Sequence, residues 1–310
     1  MKYKDLEQRA PSIITAGVSG WFKLEAIRPD GRVRPLTGWF PNLVLDNGLN
    51  SIGTTYQLSA CQVGTSNVAP TVAQTGLQGY LAGTTTVMEG TNGQQTSPPY
   101  YGWARLRYRF GLGVATGNIN EVGVGPGRLS SDPLWSRALT VDGGGNPTTI
   151  TVLSDEILDV TYELRLYPPL SDGSGGPFNI GGTNYNVTWR AQDVDGNNAW
   201  RSFIGSVANF NPVGGVTHAV YSGNMGATIL DNPSGVSSGA GMVNNAYSNN
   251  SLQRDGYTDY GLDAGNVGGI KSTSIYTSMG AYQFEFDNPI PKDNTRTLNL
   301  QYRISWNRYP

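Results

Sequence analysis

Trp103-Ala-Arg-Leu-Arg-Tyr-Arg-Phe110 places Arg105, Arg107 and Arg109 on one side of a two-residue period and Ala104, Leu106, Tyr108 and Phe110 on the other. That alternation is the signature of a β-strand with one buried face. Leu158-Asp-Val-Thr-Tyr-Glu-Leu-Arg-Leu166 repeats it: Leu158, Val160, Tyr162, Leu164 and Leu166 oppose Asp159, Thr161, Glu163 and Arg165. Two such strands define a sheet with one apolar and one charged face. Arg105, Arg107 and Arg109 with Glu163 form the charged strand face, on which opposite charges on neighbouring strands favour pairing. Between the two strands, Ile119 to Val124, Trp135 to Val141 and Thr148 to Leu153 are short β-type runs separated by Gly, Pro, Asn and Asp.

Working outward, the 42 glycines and 18 prolines among 310 residues, with only 14% charged residues, favour many strands joined by turns over helices. Seventeen tyrosines and an aromatic content of 10% supply enough surface to bury that disorder is not expected. The fold expected is all-β: an antiparallel, jelly-roll-like β-sandwich with long Gly/Asn/Ser-rich loops and little helix. A net charge of -2 gives no basic field for displacing counterions from phosphates, so nucleic acid is not expected as a partner. Cys61 is the sole cysteine, which excludes an internal disulfide and a cysteine metal cluster. No stretch approaches the roughly 20 apolar residues of a membrane-crossing helix, and Met1 to Ala10 lacks the apolar core of a signal peptide. Synthesis in the cytoplasm without membrane insertion is expected.

Along the chain, residues 1–20 read as an N-terminal arm and 21–170 as the first part of the β core. Residues 171–275 read as a loop-rich insertion with β-type islands at Tyr185 to Arg190, Trp200 to Val207 and His218 to Tyr221, where scattered short strands are expected, and 276–310 as C-terminal strands completing the core. Pro29-Asp-Gly31 between Trp21–Ile27 and Arg32–Leu36 predicts a hairpin turn. Asn50 to Leu58 is the candidate for a short helix. Leu298, Leu300, Tyr302, Ile304 and Trp306 repeat the Leu158 to Leu166 pattern, and both runs precede a Tyr-Pro pair. The two strands are expected to do equivalent jobs.

No catalytic or metal-binding constellation stands above its bland reading, and no cofactor is implied. Gly235-Val-Ser-Ser-Gly239 matches the nucleophile-elbow spacing but lies in a Gly/Ser-rich run without a strand and helix around it. His218, the only histidine, reads as a packed strand residue. Gly111 to Gly117 lacks phosphate-loop spacing, and Asp193 to Asn198 departs from a calcium loop at its glycine and at Ile204. Glu121, Glu163 and Glu285 are the carboxylates to examine for glycoside chemistry. Their bland readings are a glutamate bonded to backbone amides, a solvent-facing partner of the arginine row and a wet-face residue. Tyr247, Tyr257 and Tyr260, in the least regular stretch, are the candidate interaction surface. Trp189 and Trp200 read as core of their own segment.

Several phrases together resemble tailed-bacteriophage virion proteins of the tail, tail-tip or tail-fibre type. They are Phe40-Pro-Asn-Leu-Val-Leu-Asp-Asn-Gly-Leu49, Val63-Gly-Thr-Ser-Asn-Val-Ala-Pro70, Gln74-Thr-Gly-Leu77 and Ala115-Thr-Gly-Asn-Ile-Asn-Glu-Val-Gly123. Leu134-Trp-Ser-Arg-Ala138, Pro147-Thr-Thr-Ile-Thr-Val152 and Ile304-Ser-Trp-Asn-Arg-Tyr309 complete the set. The resemblance implies a homo-oligomeric structural subunit of a virion, made in the host cytoplasm and contacting other virion proteins. It also implies a possible host-surface glycan or protein as partner, with no catalytic residues to carry over. A capsid-decoration or collar protein is the alternative within that class. A carbohydrate-binding or polysaccharide-degrading β-protein is the alternative outside it.

Overall fold

The computed structural model describes residues 4–7, 12–54, 58–196, 200 and 217–310. They form an all-β structure with one short helix, and the strands fall into four sheets. The two opening stretches are adjacent antiparallel strands, β9 (Tyr101–Phe110) and β14 (Ile157–Tyr167), with Arg105 opposite Glu163 and Arg109 opposite Asp159. They belong to a ten-stranded sheet. Its path runs β19 (Val243–Asn244), β20 (Gln253–Tyr260), β23 (Arg296–Arg308), β2 (Ser12–Ile27), β14, β9, β8 (Val87–Gln95). β1 (Lys4–Glu7) joins β23, while β3 (Val33–Pro35) and β4 (Phe40–Pro41) join β2. The sheet is mixed, because β1 and β2 both run parallel to β23.

β2 is the spine of this sheet. β14 pairs along one edge from Gly17 to Ile27, and β23, β4 and β3 share the other. Residues 12–20 are therefore sheet and not arm. Ile14, Ala16 and Val18 are buried in alternation, but the neighbouring Gly17, Ser19 and Gly20 carry turn-like composition that masks the period. The like-patterned strands β14 and β23 flank β2 on opposite edges, with Tyr162 and Tyr302 both buried. The rings that end them, Tyr167 and Tyr309, stack with centroids 3.6 Å apart. The expected hairpin is present as β2 and β3, with Gly31 at φ 81°.

Two smaller sheets cover the apolar face. The first is β5 (Leu43–Val44), β12 (Ser136–Leu139), β11 (Glu121–Gly125), β6 (Ala60–Gly64), β7 (Tyr80–Thr84). It meets the β2–β14–β9 region, where Phe22 and Trp135 pack on Tyr162 and the Tyr108 hydroxyl donates to the Leu58 carbonyl at 2.6 Å. The second is β15 (Gly173–Ile180), β16 (Thr183–Ala191), β22 (Gly280–Ile290), β21 (Ile270–Thr277), β17 (Thr217–Tyr221), β18 (Ser237–Gly241). It meets β20 and β23, where the Tyr260 hydroxyl donates to the His218 carbonyl at 2.7 Å. Burying Leu, Val or Phe on such faces contributes about 1.5–3 kcal/mol each. A two-stranded pair, β10 (Gly117–Ile119) with β13 (Ile150–Val152), completes the strands.

The helix, α1 (Asp46–Ser51), starts earlier than the Asn50 to Leu58 expected. Asn47-Gly48 reads as a turn, but the glycine is needed for a different reason: a Cβ there would lie 2.1 Å from the Trp135 carbonyl oxygen. Close approach lets α1 fit against Trp135 and offer the Leu49 carbonyl to the Trp306 indole N–H at 2.7 Å.

Within residues 171–275 the islands at Tyr185 to Arg190 and His218 to Tyr221 are strands β16 and β17, and the segment holds more strand than expected, since β15 to β20 and most of β21 lie within it. β20 pairs with β23 over eight positions, and β22, expected to complete the first core, lies between β16 and β21. Segments such as Gly-Ser-Gly-Gly in β15 and Ser-Ser-Gly-Ala-Gly in β18 form strands without the apolar alternation that announces one. Of the expected Trp200 to Val207 run, only Trp200 lies within the described residues.

Candidate functional site

The outer face of the ten-stranded sheet gathers the arginine row and most of the exposed or half-buried tryptophan. Cross-strand register builds it in rows: Glu89, Arg107, Thr161 and Lys23 in one, then Thr91, Arg105, Glu163 and Trp21 in the next. Gly93, Trp103, Arg165 and Ser19 form a third. Arg105 and Glu163 pair as the alternation predicts, but Glu163 does not face solvent; it is only 1% exposed. It accepts from Arg105 and, at 2.5 Å, from Arg165, and these guanidiniums with their aromatic neighbours roof it over. Asp159 is buried in the same way under a two-point bond from Arg109, both contacts at 2.7 Å. The bond to that carboxylate raises the Arg109 pKa. Farther along, the Arg34 guanidinium lowers the pKa of Glu156.

Above the carboxylates lies a layer of arginines and rings. Arg105 sits 4.2 Å from the Trp103 ring centroid and 5.3 Å from that of Trp39. Arg165 sits 4.4 Å from Trp21 and 4.5 Å from Tyr101, and Tyr101 packs on Tyr167, which stacks on Tyr309. Cation–π contact of this kind contributes about 0.5–2 kcal/mol each and fixes the planes of both partners. An open groove of about 280 Å³ crosses this layer between Trp39 and β8. Sequence reading found Arg105 and Arg107 but not Lys23, Glu25 or Glu89, nor the aromatic wall, because Trp39 lies outside any alternating run.

A second concentration of polar groups is internal. Glu121 on β11 and Arg137 on β12 form an ion pair with both side chains fully buried. Arg137 donates to Glu121 at 2.8 Å, to the Gln74 side chain at 2.7 Å and to the Val68 carbonyl at 2.7 Å. Glu121 also accepts from the amides of Gly79, Gln78 and Ser66 at 2.6, 3.1 and 3.4 Å. A glutamate held by backbone amides was the bland expectation for Glu121. The amides come from the 66–79 loop and not from the Gly111 to Gly117 turn.

The other candidates do not converge. Glu121, Glu163 and Glu285 lie in three different sheets, and Glu285 is engaged by Lys271 and the Met225 amide. Tyr260 is fully buried, and Tyr247 and Tyr257 are half-buried, so the three do not form an exposed surface. Their irregular-looking stretch contains β20, and Tyr247 packs on Trp306. Trp200 is core, whereas Trp189 is half-buried, lying over Gly173 and Gly175. Ser237 pairs with Tyr221 while His218 pairs with Ala240, three positions along the ladder and so roughly 10 Å apart. His218 packs against Tyr260, its ring nitrogens have no hydrogen-bond partner among the described residues, and burial pushes its pKa down to about 3. Asp193 to Gly196 is a turn. Among the described residues no three of His, Cys, Asp and Glu cluster as metal ligands, and no helix is long and apolar enough to cross a membrane.

Comparison with known proteins adds no relative: no family model, no curated protein and no solved structure matches the chain.

Proposed function

We propose that the chain is a structural subunit of a bacteriophage virion, a tail, tail-tip or tail-fibre component acting in assembly or host adsorption. The observation supporting this reading is that the scattered phrases resembling such proteins meet as one physical unit. Val68, Gln74, Glu121 and Arg137 come from four of them, and Arg137 donates to the other three in the buried ion-pair cluster. The Phe40 to Leu49 phrase enters through β5, which pairs with β12, and through the Leu45 amide, which donates to the Trp135 carbonyl at 3.0 Å. The closing phrase joins by Trp306 donating to Leu49 and Arg308 donating to the Val44 carbonyl at 2.5 Å. Segments far apart in sequence thus build one interlocked module. A rigid β scaffold with long connections suits a repeated subunit that presents loops to its neighbours.

The test is a phage carrying a stop codon early in this gene, grown on permissive and non-permissive hosts. Particles made without the protein are expected to show incomplete tails or to adsorb poorly, with restoration by the gene in trans. Normal yield, morphology and adsorption without the protein would overturn the proposal.

A further inference from the structure

The groove on the outer face of the ten-stranded sheet shares no lining residue with the phrases of the interlocked module. One wall is Trp39, 38% exposed, in the connection leading to β4; the other is Glu89 and Thr91 on β8. Lys23, Arg105, Arg107 and Thr161 are the floor. We propose that this groove binds a neutral saccharide, with a sugar ring stacked on Trp39 and its hydroxyls bonded to the ion pairs of the floor and walls.

Three features carry the assignment. An exposed indole beside polar groups matches the two-sided chemistry of a sugar, whose ring carries an apolar C–H face edged by hydroxyls. The polar groups are held before any ligand arrives: Lys23 by Glu25 at 2.7 Å, Arg107 by Glu89 at 3.2 Å, and Arg105 by Glu163 beneath it and the Trp39 and Trp103 rings around it. Donors and acceptors fixed in this way lose little side-chain freedom on binding. Three cationic side chains, Lys23, Arg105 and Arg107, line the groove beside the carboxylates of Glu25 and Glu89, with Glu163 beneath them shared between Arg105 and Arg165. Such a groove offers guanidinium and ammonium donors next to carboxylate acceptors, which suits hydroxyls. Trp103 extends the aromatic surface toward β8. Its ring lies flat over Gly93, where an added Cβ would be 2.4 Å from the indole.

The inference does not depend on the virion reading, and its test uses the purified full-length protein alone. Binding is measured on an array of neutral and acidic bacterial surface glycans and by affinity electrophoresis in gels containing dextran, mannan or heparin. At least one neutral glycan should be bound, with affinity little changed between 50 and about 500 mM salt because no net charge is neutralised. Trp39→Ala should weaken that binding by about tenfold or more, as loss of an aromatic anchor does. Thr91→Trp, which fills the groove while leaving Trp39 in place, should weaken it as well. Both sites are at the surface, so melting temperatures should stay near that of the parent. Absence of binding to any neutral glycan, binding confined to heparin and lost in salt, or neutral-glycan binding unchanged in both variants would each overturn the proposal.

Discussion

Arg137→Met removes the centre of the buried cluster while keeping an unbranched side chain in its place. Glu121 would then remain fully buried with only the Gly79, Gln78 and Ser66 amides as donors, the Val68 carbonyl would lose the guanidinium, and the Gln74 side-chain oxygen would keep only the Thr71 amide. Breaking a buried pair by deleting one member costs about 3–5 kcal/mol, because an uncompensated charge stays in a low-dielectric site. Against a total stability of about 5–15 kcal/mol, that is enough to unfold a marginal protein. The assay is urea denaturation followed by tryptophan fluorescence, with midpoint and slope compared between parent and variant. The double variant Glu121→Gln with Arg137→Met should be less destabilised than the two single losses added together, since the buried charge is gone. A loss below about 1 kcal/mol for Arg137→Met, or strict additivity, would refute the view that this pair holds the module together.

Acid should weaken the fold through His218. Above about pH 6.5 the residue is neutral in both states and contributes no pH dependence; between there and its folded value of about 3, only the unfolded chain takes the proton. Stability should therefore fall by about 1.4 kcal/mol per pH unit from this residue as pH drops from 6.5, and His218→Leu should flatten that slope in urea titrations at pH 7.5, 6 and 4.5. An unchanged slope in the variant would contradict it. Replacing residues 232–268 with a short Gly-Ser bridge should give insoluble or unfolded protein, because it removes β20 from the edge of β23 and uncovers Leu298, Leu300 and Tyr302; soluble, fully β-structured material by circular dichroism would count against the topology. Cys61 is buried and burial raises its thiol pKa well above the ordinary value, so an aromatic disulfide reagent should leave it unreacted until urea unfolds the chain.

The strands that could be read from sequence are those in which an apolar row alternates with a polar one. β9, β14 and β23 do this over eight or nine residues, and their pairing and inward faces follow. β2 was half-hidden because Gly17 and Gly20 occupy positions where a side chain would collide with Tyr309, or with Tyr162 and Asn42. β15 and β18 were hidden for a related reason: edge strands carry much of their stability in backbone pairing and need few apolar side chains. On the outer face, the arginine row and its carboxylate partners were legible from charge and period. Burial of Glu163 was not, since it depends on Trp21, Trp39 and Tyr101 packing on Arg105 and Arg165 from other parts of the chain. The exposed-tyrosine expectation failed at Tyr260 because Gln253–Tyr260 reads as polar and irregular, yet pairs with β23 along its whole length.

The central claim is that this chain is built into a phage particle. Quantitative mass spectrometry of gradient-purified particles, with gold-labelled antibody against the chain seen by electron microscopy, tests it directly. The account predicts a fixed copy number per particle, in a ratio to the major tail protein that does not change with further purification, and gold confined to the tail. Absence of the chain from particles while it is abundant in the lysate would contradict the claim, and gold confined to the capsid or collar would contradict the placement in the tail.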